Sequence, residues 1–511
     1  MSNENLVLAA MVFAVAMTFI DQTIVAIAIP NLQHDLHLTQ TGSQWIINCY
    51  LLALSALFAF GGKLGDVLGR RRMVVIGVIG FAAASALCGF TPTGDLASAW
   101  MIFFRVVQGA FAALMFPAAV GIVIAAFPLR ERGRAMAVFF GVSGGLTAIG
   151  PLAGGYLTQW TWRSIFWINV PVALIALFLI WRSKPDDVRH PTKLDYRGTL
   201  LACGAMGLLV LGLQQASQWG WSSPQTVACL VAGVALGVVF VWWELRAAHP
   251  LLQLRIFRDR GFAVDNVVLT LISVVFVPFF FFGSVYAQTS LGESASNAGL
   301  YIMWFFIGFV IAAQVGGRIL DRRGAKPAVV VGSAIGAVGF FLLAQRLTDL
   351  SLAHQRLSIV IAGAGLGLIL GPASTDAVNR APSSSYSEVT GITQTGRNFG
   401  ASLGLAVLGT ILIDRSRSTV TAALTGAGVS HARAAQLAGS FGASSSGSGG
   451  GGHASPALLH DVQLAFAHAT QTVFYVMAAV LLANAVIARL WFPRGRVEVA
   501  AEEEPQLAAA G

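Results

Sequence analysis

Long apolar runs separated by short polar segments recur along the whole chain. A helix needs about 20 apolar residues to cross the roughly 30 Å hydrocarbon core of a bilayer. The pattern contains fourteen runs of suitable length, so we expect fourteen membrane-spanning helices, numbered here as spans 1 to 14. They are predicted at residues 6–29, 44–62, 73–92, 98–118, 135–158, 164–182, 198–214, 225–244, 262–288, 297–317, 327–345, 357–376, 388–412 and 469–491.

The basic residues are distributed unequally between the two sides of these spans. With the N-terminus in the cytoplasm, 24 of the 32 lysines and arginines fall in cytoplasmic segments, six fall outside, and Arg105 and Arg397 lie within spans. This bias follows the positive-inside rule and favours an even number of spans with both termini cytoplasmic. The first run lacks a basic segment before it and is long enough to span, so we expect it to be retained as a helix rather than cleaved.

The composition agrees with a polytopic membrane protein. The chain has 511 residues, of which 56% are apolar and 11% charged, whereas soluble domains carry about 25% charged residues. The net charge of +9 does not indicate a nucleic-acid partner, because the basic residues occur in short clusters between spans. The four cysteines lie in or beside apolar runs, so we expect neither a disulfide nor a metal site.

One short pattern occurs twice. Residues 62–72 read GKLGDVLGRRR and residues 317–326 read GRILDRRGAK, which places Asp66 and Asp321 at matched positions 255 residues apart. The copies follow spans 2 and 10, so each comes after the second helix of a repeated half. The repeat predicts four parts: an N-terminal six-helix bundle (1–183), an inserted helix pair (184–250), a C-terminal six-helix bundle (251–492) with an external, mobile loop at about 414–467, and a cytoplasmic tail (493–511).

Further motifs lie on individual spans. DQTIVAIAIP (21–30) is in span 1, WIINCYLL (45–52) in span 2, RVVQGAFAA (105–113) in span 4 and GPLAGGYL (150–157) in span 5, and WRSIFWINVP (162–171) enters span 6. In their order and placement, together with the repeated loop pattern, these motifs resemble the major facilitators, specifically the fourteen-helix drug:proton antiporters of the EmrB/QacA type. The resemblance covers nearly the whole chain.

The resemblance implies an all-α major facilitator fold with two six-helix bundles and two inserted helices. It also implies a secondary transporter, not an enzyme, that uses the proton gradient and no cofactor to export lipophilic compounds, cations among them. We expect a monomer in the bacterial cytoplasmic membrane, and a periplasmic adaptor protein is a further partner to consider. Such relatives carry an antiporter motif that distinguishes exporters from importers. The matching residues in this sequence are Gly150, Pro151, Gly154 and Gly155.

Two opposite charges are expected at the same depth in the first bundle. Asp21 lies about 13 Å from the outer end of span 1, and Arg105 about 9 Å below the outer surface in span 4. A charge in hydrocarbon costs at least about 2.5 kcal/mol, so each needs a partner. Asp21 is predicted to carry protons, with Arg105 as its permanently charged partner. The alternative is a static ion pair that holds two helices together.

The repeated loop pattern is predicted to form a conformational latch at the cytoplasmic ends of the helices. An acid there can accept backbone N–H groups at the start of the next helix and pair with arginines across the bundle. Glycines permit the tight turn and close approach. The residues of this predicted latch are Gly62, Asp66, Gly69 and Arg70 in the first copy and Gly317, Asp321 and Gly324 in the second.

Two other intramembrane charges and a set of polar and aromatic residues complete the candidates. Arg397 is expected to have a structural role in the gate or in helix contact, with substrate contact as the alternative, and Asp376 and Glu388 are its candidate partners. Asp265 is either a secondary proton site or an interfacial residue near Arg258 and Arg260. Aromatic faces suit lipophilic cations. The candidate cavity residues are Trp45, Asn48, Tyr50, Phe276, Tyr286, Gln288, Trp304, Phe305 and Gln314.

The leading functional prediction is proton-driven efflux of amphipathic drugs or other toxic compounds, with a dedicated exporter of one endogenous metabolite or antibiotic as the alternative. Uptake or exchange of a metabolite is a weaker alternative, since the span 5 motif and the lack of a sugar- or phosphate-type polar lining argue against it. A membrane enzyme or sensor would need a catalytic constellation or a soluble domain, and the chain has neither, nor a phosphate-binding loop for ATP.

Overall fold

The computed structural model describes residues 3–36, 40–128, 131–158, 160–185, 195–248, 254–381, 386–426 and 456–493, together with positions 38, 250, 252, 430–431, 433–434 and 495. Helices dominate this part of the chain. They are α1 (Asn3–Leu36), α2 (Gln40–Leu68), α3 (Arg70–Gly89), α4 (Ala97–Ala126), α5 (Arg132–Leu157), α6 (Ser164–Trp167), α7 (Asn169–Ser183), α8 (Tyr196–Trp219), α9 (Pro224–Glu244), α10 (Arg260–Thr289), α11 (Ala295–Arg323), α12 (Ala325–Arg346), α13 (Leu352–Asn379), α14 (Tyr386–Gly426) and α15 (Pro456–Trp491).

Thirteen helices in the described residues are long and apolar enough to cross a membrane, and one of them, Ser164–Ser183, combines α6 and α7. These thirteen overlap every predicted span except span 5. That span overlaps α5, a helix of 26 residues that is not among the thirteen. The all-α polytopic class is therefore confirmed, and the count of fourteen stays a prediction.

The packing of α1–α7 recurs in α10–α15. In the first set, α4 packs against α1, α2 and α3, while α7 packs against α1 and α3. In the second, α13 packs against α10, α11 and α12, while α15 packs against α10 and α12. Glycines allow the closest contacts, since a side chain at Gly109 of α4 would collide with the backbone of Tyr50 in α2, and one at Gly363 of α13 with that of Phe305 in α11.

Two helix pairs join these sets. α2 packs against α14, and α5 packs against α11. The predicted inserted pair consists of α8 and α9, which pack against each other, and α8 also contacts α2 and α14. α9 exposes apolar side chains such as Val231, Val234 and Trp242, as expected for a helix that faces lipid.

The predicted external loop is shorter than expected at both ends. The prediction placed it at about 414–467, but α14 continues to Gly426 and α15 begins at Pro456. These extensions remain helical because they bury a small apolar cluster of their own, which includes Val420, Leu424 and Val462. The Ser/Gly-rich stretch 444–452 and nearly all of the predicted tail lie outside the described residues.

Candidate functional site

A buried ion pair links α1 to α4. Nη1 of Arg105 donates to Oδ2 of Asp21 at 2.5 Å. Both side chains are almost completely inaccessible, with 0% of Asp21 and 1% of Arg105 exposed. Arg105 lies eight residues after the start of α4, about 12 Å along its axis, so the pair is far from both ends of the helix.

The pair belongs to a larger network that the sequence prediction did not contain. Nε2 of Gln108 donates to Oδ1 of Asp21 at 3.0 Å, and Nη1 of Arg105 donates to Oε1 of Gln108 at 2.8 Å. Nε of Arg105 donates to the carbonyl oxygen of Ile46 at 3.0 Å. The Tyr50 ring lies 4.3 Å from the Arg105 guanidinium carbon. Gln108 occupies the i+3 position after Arg105 in the RVVQG motif, which is the signal that could have revealed it.

In this arrangement the acid, Asp21, and the cation, Arg105, are held by different helices. Asp21 on α1 is held by two side chains of α4, whereas Arg105 is also held by α2 through Ile46 and Tyr50. A proton on Asp21 would remove its negative charge but leave those contacts of Arg105 with α2 in place. Protonation therefore weakens the attachment of α1 to α4 while the cation keeps hydrogen-bonded partners in low dielectric.

Asp66 of the first loop motif lies against the start of α14. It accepts hydrogen bonds from the backbone N–H of Glu388 at 2.7 Å and of Ser387 at 3.3 Å. Nε of Arg70 donates to Asp66 at 2.9 Å and to the Ser387 hydroxyl at 3.0 Å. Asp66 thus caps a helix that begins more than 300 residues later, where the helix dipole and unpaired N–H groups favour an anion.

The glycines around Asp66 permit this approach. A side chain at Gly62 would collide with the Ser387 carbonyl group. Gly69 has a φ of 105°, in the region that favours glycine, where the chain turns between α2 and α3. A second ion pair, between Lys63 and Glu388 at 3.0 Å, reinforces the same junction of α2 with α14.

Asp321 of the second motif makes the equivalent contact with α5. Its Oδ1 accepts a hydrogen bond from the backbone N–H of Gly133 at 3.0 Å, in the first turn of α5. Gly317 and Gly133 approach so closely that neither has room for a side chain, and Gly324 has a φ of 81° at the turn into α12. We call the helix ends that carry Asp66 and Asp321 the latch end. Each acid holds the start of a helix from the other set.

Arg132 adds contacts at the latch end that the sequence prediction missed. Its Nη1 donates to the Tyr386 hydroxyl at 3.0 Å and to Oδ1 of Asn379 at 3.2 Å. In the predicted antiporter motif, Gly150 packs against α1, where Thr23 and Ile20 leave no room for a side chain, and Gly154 is buried. Pro151 and Gly155 also lie within α5.

The candidate cavity residues do not form one group in the described part of the chain. Tyr50 belongs to the Arg105 network. Tyr286 is fully buried, and its hydroxyl donates to the Leu347 carbonyl at 2.6 Å and accepts from Gln355 at 2.7 Å. Phe276 and Phe305 pack within an aromatic cluster of α10 and α11. The other candidates are partly buried: Trp45, Asn48, Gln288, Trp304 and Gln314. Gln314 lies next to Gly141 of α5.

The remaining charges have different partners from those expected. Asp265 is fully buried and lies 3.4 Å from Nε of Arg380, not beside Arg258 or Arg260. Asp376 pairs with Arg380 at 2.9 Å and Glu388 pairs with Lys63, so the prediction that either acid partners Arg397 is wrong. Arg397 instead donates from Nη1 to Oε1 of Gln394 at 2.5 Å.

Comparison with known proteins identifies the family. The family model described as Major Facilitator Superfamily matches residues 11–405. The chain belongs to this superfamily. The solved structure of the proton:xylose symporter XylE bound to 6-bromo-6-deoxy-D-glucose superposes with a TM-score of 0.63 and covers 97% of each chain, although the identity is 12%. The predicted major facilitator fold is therefore confirmed, and the protein is a secondary transporter, not an enzyme.

Relatives of this superfamily member include proteins of Streptomyces and Bacillus species. The chain is 36% identical over 411 residues to the tetracenomycin C resistance and export protein of Streptomyces glaucescens, covering 80% of this chain and 76% of that protein. It is 33% identical to the puromycin resistance protein pur8 of Streptomyces alboniger, covering 77% of this chain and 78% of the relative. It is also 31% identical to the multidrug transporter MdtP of Bacillus subtilis, covering 82% and 77%.

Proposed function

We propose that the protein exports amphipathic organic compounds from the bacterial cytoplasm in exchange for protons. Relatives that are named for resistance, export or multidrug transport support the direction of transport. The observation that carries the proton coupling is the buried network in which Asp21 of α1 meets Arg105 and Gln108 of α4. An ionisable pair inside a membrane helix bundle is the usual means of moving a proton across it.

The contacts at the latch end support an alternating-access cycle. In this arrangement α14 is held by Asp66 and α5 by Asp321, so the two bundles are joined at that end. The charge bias supports a cytoplasmic position for the latch end, and with that orientation this arrangement is the outward-facing half of the cycle. A proton that reaches Asp21 here would loosen α1 from α4, the latch contacts would then open, and release of the proton inside would reset the site.

A dedicated exporter of one endogenous compound is the second candidate. The most specific observation in its favour is the 36% identity to a relative named for the resistance to and export of a single antibiotic. In either case we propose that the proton gradient is the energy source, that both termini are cytoplasmic and that the monomer is the working unit. An adaptor protein on the outer side would be an additional partner.

Transport into inverted membrane vesicles tests the proposal. We expect at least one dye of a chemically varied panel to accumulate when the lumen is acidic, and a protonophore to abolish the accumulation. Accumulation that survives the protonophore would contradict proton coupling. Movement of a single compound among many would favour the dedicated exporter.

A further inference from the structure

Arg397 is a cation deep in α14 that has no acidic partner among the residues that the structure describes. It lies eleven residues after the start of the helix at Tyr386, about 16 Å along its axis and close to the middle of a bilayer. Among the residues that the structure describes, no carboxylate lies within ion-pair distance of its guanidinium group. An unpaired charge at this depth costs at least about 2.5 kcal/mol, so the position needs an explanation.

The packing of α14 shows where Arg397 points. Gly391 packs against Phe58 of α2, whereas Gly400 packs against Thr270 of α10. At 100° per residue, Arg397 lies between these two faces and on the side away from Thr410, which contacts the inserted pair through Trp221. Its guanidinium carbon is 5.8 Å from the ring centroid of Phe140 on α5. Arg397 therefore faces α5 of the first bundle, at the boundary between the two bundles.

Several buried polar atoms on this part of α14 and on the facing helix α5 have no hydrogen-bond partner among the described residues. Nη1 of Arg397 has Gln394 as an acceptor, but Nε is shielded from solvent and has no acceptor in the described part of the chain. The Nδ2 atom of Asn398 and the hydroxyl of Thr393 on α14 are also buried without a hydrogen-bond partner, as is the hydroxyl of Ser143, one turn after Phe140 on α5. Such buried donors are costly unless something accepts from them, and an anion accepts several at once.

The other midplane charges do not compensate for Arg397. The charge of Asp21 is neutralised by Arg105, and its second oxygen accepts a hydrogen bond from Gln108. The carboxylate is therefore not available to a molecule bound between the bundles. The sequence had favoured lipophilic cations on the basis of aromatic faces. With Asp21 and Arg105 paired, the midplane charge that has no counter-ion among the described residues is that of Arg397, beside the aromatic ring of Phe140.

We propose that Arg397 binds the anionic group of the exported compound, and that the substrates are aromatic or otherwise lipophilic organic anions such as carboxylates, sulfonates or phenolates. This inference rests on the proposed function and specifies its substrate class. The anion would pair with the guanidinium group and accept from the free donors nearby, while the apolar body packs against Phe140. The contact spans both bundles, so it would form and break during the transport cycle.

The charge balance of the exchange follows from this assignment. Inward movement of one proton with outward movement of one monovalent anion transfers the equivalent of two positive charges inward. A neutral substrate would transfer one, and a monovalent cation none. Export of an anion is therefore driven by the membrane potential as well as by the pH difference, and the current per exported molecule reports the charge of the substrate.

Binding to the purified full-length protein tests the inference without requiring transport. Fluorescence anisotropy would compare the aromatic anion fluorescein with the lipophilic cation ethidium. We expect wild type to bind fluorescein, Arg397→Gln to raise its Kd about tenfold or more, and Arg397→Lys to restore part of the affinity. Arg356→Gln removes an exposed arginine near Trp304 and serves as the matched control, with binding unchanged. Size-exclusion profiles identify any variant that fails to fold.

Three results would overturn the inference. They are a failure of fluorescein to bind, an equal loss in Arg397→Gln and Arg356→Gln, and stabilisation of wild type by chloride without binding of the organic anion. The proposed function is judged separately, by gradient-driven transport in vesicles. Proton-driven export of ethidium that is unaffected by Arg397→Gln would leave the antiporter in place and remove the anion site, whereas fluorescein binding without any proton-driven export would do the reverse.

Discussion

Asp21 and Arg105 are suited to the proposed proton coupling because each has contacts other than the ion pair between them. Gln108 donates to the acid, and the Ile46 carbonyl and the Tyr50 ring support the base from α2. A proton can therefore be added to Asp21 without leaving Arg105 isolated in an apolar environment. A static ion pair would need no such separate support for the cation.

The geometry of this network distinguishes arginine from lysine at position 105. Arg105 uses Nη1 for Asp21 and Gln108 and Nε for Ile46, whereas the single ammonium group of a lysine cannot occupy both positions. We expect Arg105→Lys to lower the rate of proton-driven transport at least about tenfold, with the fold intact. Transport in inverted vesicles gives the rate, and the melting temperature of the purified variant checks the fold. A rate equal to wild type would show that charge alone suffices.

At this scale the sequence predicted a partner for Asp21 but not the whole site. Residue counts along spans 1 and 4 place Asp21 and Arg105 at one depth, because the depth of a residue depends only on its position within its own span. The partner of Arg397 could not be found in this way, because Asp376 and Glu388 are nearby in sequence but are engaged by Arg380 and Lys63. The side chain that an acid contacts across a bundle depends on the rotation of each helix about its axis. The predicted spans do not specify this rotation.

The two loop motifs act on helices, since each acid fixes the start of one helix from the opposite bundle. Asp66 caps α14 and Asp321 caps α5. The sequence predicted that each acid would accept N–H groups at the start of the next helix, but the helices that donate to them, α14 and α5, are remote in the chain. The twofold recurrence of the motif follows from the recurrence of the packing, in which α5 and α14 hold equivalent positions.

Gly133 tests the latch through packing. A methyl group there would collide with the Asp321 carboxylate and the Gly317 carbonyl, so Gly133→Ala should destabilise closure of the latch end by about 1–3 kcal/mol. We expect a larger population in which the latch end is open. Distances between spin labels at the exposed positions 72 and 258, measured by double electron–electron resonance, report this population.

Gly207→Ala is the matched control for this substitution, because nothing lies within 4 Å of the position that its methyl group would occupy on α8. It should leave the distance distribution unchanged. Asp321→Asn removes the charge of the cap without adding volume and should shift the distribution in the same direction as Gly133→Ala. Identical distributions in Gly133→Ala and wild type would show that the Gly133–Asp321 contact does not determine closure.

The ends of α14 and α15 that lie away from the latch end show another limit of the sequence pattern. The hydrophobic runs end near 412 and begin again near 469, so the intervening residues were assigned to a loop. The helices continue because Val420 and Leu424 bury against Val462, a contact between segments about 40 residues apart. A span search detects contact with lipid, whereas these side chains are buried by protein.

In the whole molecule, the proposed proton site and the predicted latch lie at different depths. The Asp21 network lies within the first bundle, and the contacts of Asp66 and Asp321 lie at the latch end, where the bundles meet. The proposed cycle couples them through α1, which packs against both α4 and α5. A ligand or proton can shift such an equilibrium only by binding one state more tightly than the other.

The most direct test of the central claim is a comparison of two transport modes in vesicles that contain wild type or Asp21→Asn. Gradient-driven accumulation requires Asp21 to bind and release a proton, whereas exchange of labelled for unlabelled substrate at equal pH does not. We predict that Asp21→Asn loses accumulation and keeps exchange. Accumulation in Asp21→Asn at the wild-type rate would contradict the account, because the proton would then cross by a route that does not use this carboxylate.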